Sequence, residues 1–114
     1  MNELGQYYEQ LALTYLQQQG LQLVAQNFRC KIGEIDLIMR QQQCWVFIEV
    51  KYRASTAYGG ALAAISRSKQ QKVLGAVKYY QLQHRLTQQP CRIDVLAIEG
   101  HAPYQYTWLQ NAFS

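Results

Sequence analysis

Two runs decide the fold: Glu34-Ile35-Asp36-Leu37-Ile38-Met39-Arg40 and Cys44-Trp45-Val46-Phe47-Ile48-Glu49-Val50-Lys51-Tyr52, separated by Gln41-Gln42-Gln43. The first carries Ile35, Leu37, Ile38 and Met39, the second is strongly β-prone with Trp45, Val46, Phe47, Ile48 and Val50, and the connection is short and polar. They read as the second and third strands of the chain, paired as an antiparallel hairpin. Upstream, Leu21 to Arg29 reads as a first strand, with Leu21, Leu23 and Ala25 alternating against Gln22 and Gln26, and Lys31-Ile32-Gly33 reads as a turn. Before it, Leu4, Tyr7, Tyr8, Leu11, Ala12, Tyr15 and Leu16 recur at three- and four-residue steps. That period predicts an amphipathic helix over 2–19, with Asn2 as N-cap and Gly20 as its stop.

Downstream, residues 55–60 read as a loop with Gly59-Gly60 as its flexible point. Ser66 reads as the N-cap of a long helix reaching about His84, with Val73, Leu74, Ala76, Val77 and Tyr80 as its apolar stripe. Gly75 inside that helix costs up to ~1 kcal/mol relative to Ala, which points to close packing. Arg92 to Glu99 and Gln105 to Leu109 complete five strands. The order helix, three strands, helix, two strands predicts one α/β domain over 1–114 with a mixed sheet. The second helix is then the crossover that makes strands three and four parallel.

The 114 residues are 49% hydrophobic and 16% charged, so the chain can bury a core and disorder is excluded. No apolar run approaches the ~18 residues of a membrane span. Glu3 and Glu9 interrupt the N-terminus where a secretory signal would be apolar. Cys30, Cys44 and Cys91 are odd in number and lack the C-x-x-C spacing of a zinc site. The expectation is a cytoplasmic protein with free thiols and no membrane partner.

The net charge of +4 is unevenly spread. Between Glu49 and Asp94 there is no acid, while Lys51, Arg53, Arg67, Lys69, Lys72, Lys78, Arg85 and Arg92 all fall there or at its end. A segment of one sign suits a surface that meets phosphate; a solvated helix face explains the same charges equally well.

Four of the seven carboxylates form a suggestive set: Glu9, Glu34, Asp36 and Glu49. Residues two apart on a strand share a face, so Glu49 and Lys51 point together and Val50 points away. Asp36 joins them if paired hairpin residues sum to 85 (directly opposite Glu49) or 83 (diagonal). At 84 it lands on the other face. Two close carboxylates repel unless a cation lies between them. Mg²⁺ takes one or two carboxylates plus water and phosphate oxygens, and the Val50 carbonyl is placed to add a further oxygen. Such a centre suits phosphodiester hydrolysis, with Lys51 steadying the attacking water and the charge on phosphate. Asp94 reads instead as a structural acid paired with Arg92 or a neighbour.

At these residues the chain resembles known proteins. Asp36, Glu49 and Lys51 match the PD-(D/E)-x-K nuclease pattern of restriction-endonuclease-like folds, and Glu9 resembles the helix acid of archaeal-type Holliday-junction resolvases. The whole chain looks like the small bacterial YraN-like family, an uncharacterised family grouped with endonucleases. The resemblance runs through Gly5-x-x-x-Glu9-x-x-Ala12, Asn27-Phe28-Arg29, Gly33 to Ile38, Val46 to Arg53, Tyr58-Gly59-Gly60-Ala61, Ser68-Lys69-Gln70, Cys91 to Val95 and Trp108 to Phe113.

The resemblance implies Asp36 and Glu49 as ligands of Mg²⁺ or Mn²⁺, Lys51 as the catalytic lysine and Glu9 as an auxiliary acid. It implies DNA as substrate, branched or damaged DNA included, and a homodimer as in junction-cleaving relatives. Ile35 stands where the motif's name has Pro. Some relatives carry Arg at the position of Lys51, so its role is electrostatic rather than that of a base. Arg53, Arg67, Lys69, Gln70 and Lys72 are the expected nucleic-acid contacts. The alternative is a non-catalytic nucleic-acid-binding or adaptor module that keeps the nuclease fold.

Overall fold

A computed structural model of the chain describes residues 3–55, 60 and 62–114. The elements are α1 (Glu3–Gln18), β1 (Gln22–Arg29), β2 (Glu34–Gln41), β3 (Cys44–Arg53), a 3₁₀ turn (Leu62–Ala64), α2 (Arg67–Gln83), β4 (Cys91–Glu99) and β5 (Gln105–Leu109). Asn2 and Gly59, expected as cap and flexible point, lie outside the described residues, as do Tyr58 and Ala61.

The strands form one mixed sheet in the order β1-β2-β3-β4-β5. β1, β2 and β3 run antiparallel, β3 and β4 are parallel, and β5 returns antiparallel to β4. The parallel pair follows from α2, which supplies the crossover expected from the sequence. Ser66 caps it, its Oγ accepting from the Lys69 N–H at 3.1 Å. At the end of α1, Gly20 takes φ +98°, a conformation glycine reaches without steric cost.

The helices cover opposite faces of the sheet. Ala12, Leu13 and Leu16 of α1 pack on Leu37, Met39, Val46, Ile48, Leu96 and Ile98. Val73, Ala76, Val77 and Tyr80 of α2 pack on Ile35, Ile38, Phe47 and Ile93. Each large side chain buried this way contributes roughly 1.5–3 kcal/mol. Among the described residues, no helix is long and apolar enough to cross a membrane.

Two glycines fix how α2 meets the β1–β2 turn. A Cβ on Gly75 would collide with Ile32 Cγ2, and one on Gly33 would lie 2.5 Å from the Lys72 carbonyl oxygen. The close packing anticipated for Gly75 is therefore real, and Ile32 is what fills the space.

The alternation read into β1 does not hold. The strand has a bulge between Leu23 and Ala25, and Leu23 and Val24 are both exposed. β1 is an edge strand, with one side unpaired and little pressing on it, so its pattern is weakly constrained.

Candidate active site

The β2–β3 ladder runs from Gln41↔Cys44 to Leu37↔Ile48, a pairing sum of 85 throughout. The next step would place Asp36 opposite Glu49, but there the backbones stop pairing. Instead the Val50 N–H donates to Asp36 Oδ2 at 2.9 Å. The Asp36 side chain thus takes the place of a main-chain acceptor where β2 leaves β3. In a strand the N–H and C=O of one residue project to the same side, so the Val50 carbonyl faces the same gap.

β1 shares the irregularity. Asn27, which would face Asp36, has φ +54° and drops out of the pairing between Gln26↔Leu37 and Phe28↔Ile35. In consequence Ile35 and Ile38, three apart rather than two, both pack beneath α2. Asn27 hydrogen-bonds the carboxyl of Glu9, which reaches over from α1.

Asp36 lies at a junction. On the α2 side it lines a cleft of about 460 Å³ with Glu49, Val50, Lys51, Ser66 and Lys69. On the α1 side it lines a second depression with Gly5, Tyr8, Glu9, Val50 and Tyr52. Glu49 is 1% exposed, and its Oε1 has no hydrogen-bond partner. Lys69 reaches in from the first turn of α2, its Nζ 3.7 Å from Glu49 Oε1 and 3.8 Å from Glu34 Oε1. Lys51 is exposed at the mouth, on the same strand face as Glu49.

Burial and then the Asp36 charge push the Glu49 carboxyl up to about 9, against the pull of Lys69. Burial also raises Asp36, and the two carboxyls share a hydrogen bond. Without a cation the pair therefore holds a proton at neutral pH. Burial, followed by the Asp36 charge, lifts Glu9 to about 7.

The structure gathers Asp36, Glu49, Val50, Lys51 and Lys69 at one cleft and brings Glu9 to its far side. Among the described residues no cluster of three or more potential metal-ligating side chains is assembled; a cation at this cleft would find a carboxylate pair and backbone oxygen. Arg67 and Lys72 are exposed on α2, two and three residues from Lys69 in sequence. Gln70 turns its amide back to the Ile65 carbonyl at 3.1 Å and stabilises the helix start.

Arg53, expected as a phosphate contact, is engaged within the fold. Its Nη2 donates to Glu99 Oε2 at 2.6 Å, with both side chains largely buried and Thr107 holding the other Glu99 oxygen. It sits two residues beyond Lys51 and braces the end of the parallel β3–β4 pair.

One residue of the site escaped the sequence reading: Asn27, which positions Glu9. Glu34, part of the carboxylate set read from the sequence, bridges Lys69 to Arg29, the latter at 3.5 Å. Asparagine is among the few residues that tolerate a left-handed backbone, but its position alone gives no sign that one is needed.

Comparison with known proteins agrees with the YraN-like resemblance over nearly the whole chain. A protein of Aeromonas hydrophila described as "UPF0102 protein" is 51% identical, covering 96% of this chain and 83% of that one. Another so described, from Legionella pneumophila strain Corby, is 47% identical over 97% of this chain and 94% of its own. One from Shewanella sp. strain W3-18-1 is 52% identical over 96% and 98%. With residues 8–98 also matching the description "Uncharacterised protein family UPF0102", the chain belongs to the UPF0102, or YraN-like, family.

Proposed function

We propose that the Asp36–Glu49 cleft is the hydrolytic centre of a metal-dependent endonuclease acting on DNA phosphodiester bonds. The observation that supports this most is the carboxyl pair itself: two acids forced together in a buried gap, one retaining an unsatisfied oxygen. A fold gains nothing in stability from such a pair. Two carboxylates and a backbone carbonyl suit Mg²⁺ or Mn²⁺, which keep their other positions for water and phosphate. When bound, such an ion polarises the phosphate and lowers the pKa of a water.

The remaining work falls to the protein. Asp36 and Glu49 would hold such a cation as carboxylates, and the Val50 N–H keeps Asp36 in place. Lys51 steadies the attacking water and offsets charge building on the phosphate. Lys69 faces the phosphate from the opposite wall. Glu9, anchored on Asn27, holds a water on the far side of Asp36. Arg67 and Lys72 extend the phosphate-binding surface along α2. The D…E-x-K pattern and the helix acid support a restriction-endonuclease-like core for the same reading.

Purified protein with Mg²⁺ or Mn²⁺ is expected to cut at least one of linear, flapped and four-way DNA. Asp36→Ala and Glu49→Ala abolish cutting but keep binding, and Lys51→Ala slows it by about 100-fold or more. Cutting that survives Asp36→Ala or Glu49→Ala sinks the mechanism. Binding without cutting in either metal leaves the non-catalytic module as the correct reading.

A further inference from the structure

A second cleft, of about 380 Å³, lies between the β1–β2 turn and α2, lined by Phe28, Arg29, Lys31, Ile32, Tyr79 and Gln83. That volume is within the range of small-ligand sites. Its walls are apolar and its rim is basic. Tyr79 is 40% exposed, yet its ring is backed by Phe28 at 6.2 Å between centroids, and Phe28 in turn stands edge-on to Tyr80 at 5.1 Å. Ile32 is 52% exposed and is seated against Gly75. Single exposed apolar side chains need no explanation. Here two of them converge with two cations, Arg29 and Lys31, and with an amide that can both donate and accept.

An ion-pair relay links a wall of this cleft to a wall of the carboxylate cleft. Glu34 lies between them, paired with Arg29 on one side and Lys69 on the other. Lys69 and Tyr79 are ten residues apart on α2, or about 15 Å along the helix axis. Lys72, Tyr79 and Gln83 fall on one stripe of that helix. A strand of nucleic acid with one phosphate at Lys69 spans such a distance in about four phosphates at B-form spacing, and in fewer when extended.

We infer that this cleft is a base-stacking subsite for a single-stranded segment of the bound nucleic acid. It rests on the nucleic-acid reading of the neighbouring cleft but not on hydrolysis there. A base offers a flat π-face to Tyr79 and an edge to Gln83, while Arg29 and Lys31 meet its phosphates. A duplex keeps those faces stacked inside and offers this cleft phosphate alone.

The test is fluorescence anisotropy with a labelled oligothymidylate and a labelled blunt duplex, both in EDTA so that no cutting intervenes. Tyr79→Ala is expected to weaken oligothymidylate binding by about 5- to 100-fold and to leave the duplex within twofold. Tyr79→Phe keeps wild-type affinity. Tyr79→Leu, which retains apolar packing on Phe28, loses affinity like the alanine variant. Lys31→Ala lowers the log–log salt slope on oligothymidylate by about 0.7. The inference is overturned if Tyr79→Leu binds oligothymidylate like wild type, if both probes weaken equally, or if oligothymidylate is not bound. Tyr79-dependent binding by a protein that never cuts DNA upholds the subsite and removes only the hydrolytic reading. Cutting with no Tyr79 dependence does the reverse.

Discussion

Asp94 and Glu49 are both acids buried in the middle of the sheet, and their surroundings separate structure from function. Asp94 is satisfied on every side: Arg92 Nε lies 3.1 Å from both oxygens, the Trp108 indole N–H donates at 2.9 Å, and the Asn111 N–H donates at 2.9 Å. It ties the C-terminal tail to β4. Glu49 Oε1 has no hydrogen-bond partner, with Lys69 at the edge of reach 3.7 Å away. The consequence is measurable in stability. In the unfolded chain Glu49 titrates near 4.5, but in the fold near 9, so between these values the native state holds a proton the unfolded chain has lost. Stability from this group is complete below pH 4.5 and falls as pH rises toward 9, by up to about 1.4 kcal/mol per pH unit. Urea midpoints at pH 5, 7 and 9 are expected to decline in the wild type. Glu49→Gln, which keeps the shape without the charge, flattens that decline and is the more stable protein at pH 8. A wild-type curve that rises over this interval contradicts the buried protonated pair.

At the scale of elements, the site depends on how the β1–β2 turn is held. Gly33 precedes Glu34 and Asp36, and its missing Cβ lets the turn touch the backbone of α2 at Lys72. Gly33→Ala pushes against a helix carbonyl that cannot turn aside. It is expected to cost about 1–3 kcal/mol in chemical denaturation and to reduce cutting by displacing Asp36. Gly75→Ala meets only the Ile32 side chain, which is half exposed and free to take another rotamer, so its cost is expected to be below that of Gly33→Ala. Gly75 could be read from the sequence because glycine inside a helix needs a reason. Gly33 could not, since glycine in a turn needs none. The hairpin was legible for a similar cause: two β-prone runs with a three-residue connection leave few registers, and only two of the three considered put Asp36 beside Glu49. The break at Asp36 and Asn27 was hidden. Ile35, Leu37, Ile38 and Met39 are all apolar, and a strand buried on both faces carries no alternation to interrupt.

Across the whole molecule, +4 is the sum of two unlike regions. Glu9, Glu34, Asp36 and Glu49 gather around the gap between β2 and β3, and the exposed cations Arg67, Lys72, Lys78 and Arg85 run along and just beyond α2. Position in the fold, more than sign, decides what each cation does. Lys72 is exposed on the helix that borders both clefts, and nothing in the core leans on it. Arg53 lies in the same acid-free stretch of sequence but is 14% exposed and locked to Glu99. Sequence alone made these two look alike, because a parallel β3–β4 pair had to form before Glu99 came within reach of Arg53. Their alanine variants should therefore part ways. Lys72→Ala is expected to leave the urea midpoint unchanged and to lower the log–log salt slope for duplex DNA binding by about 0.9. Arg53→Ala is expected to cost roughly 3 kcal/mol, by leaving Glu99 short of its buried partner, and to leave the salt slope of the folded protein unaltered. If Arg53→Ala lowers the slope without loss of stability, its guanidinium meets phosphate after all, and the ion pair with Glu99 yields when DNA binds.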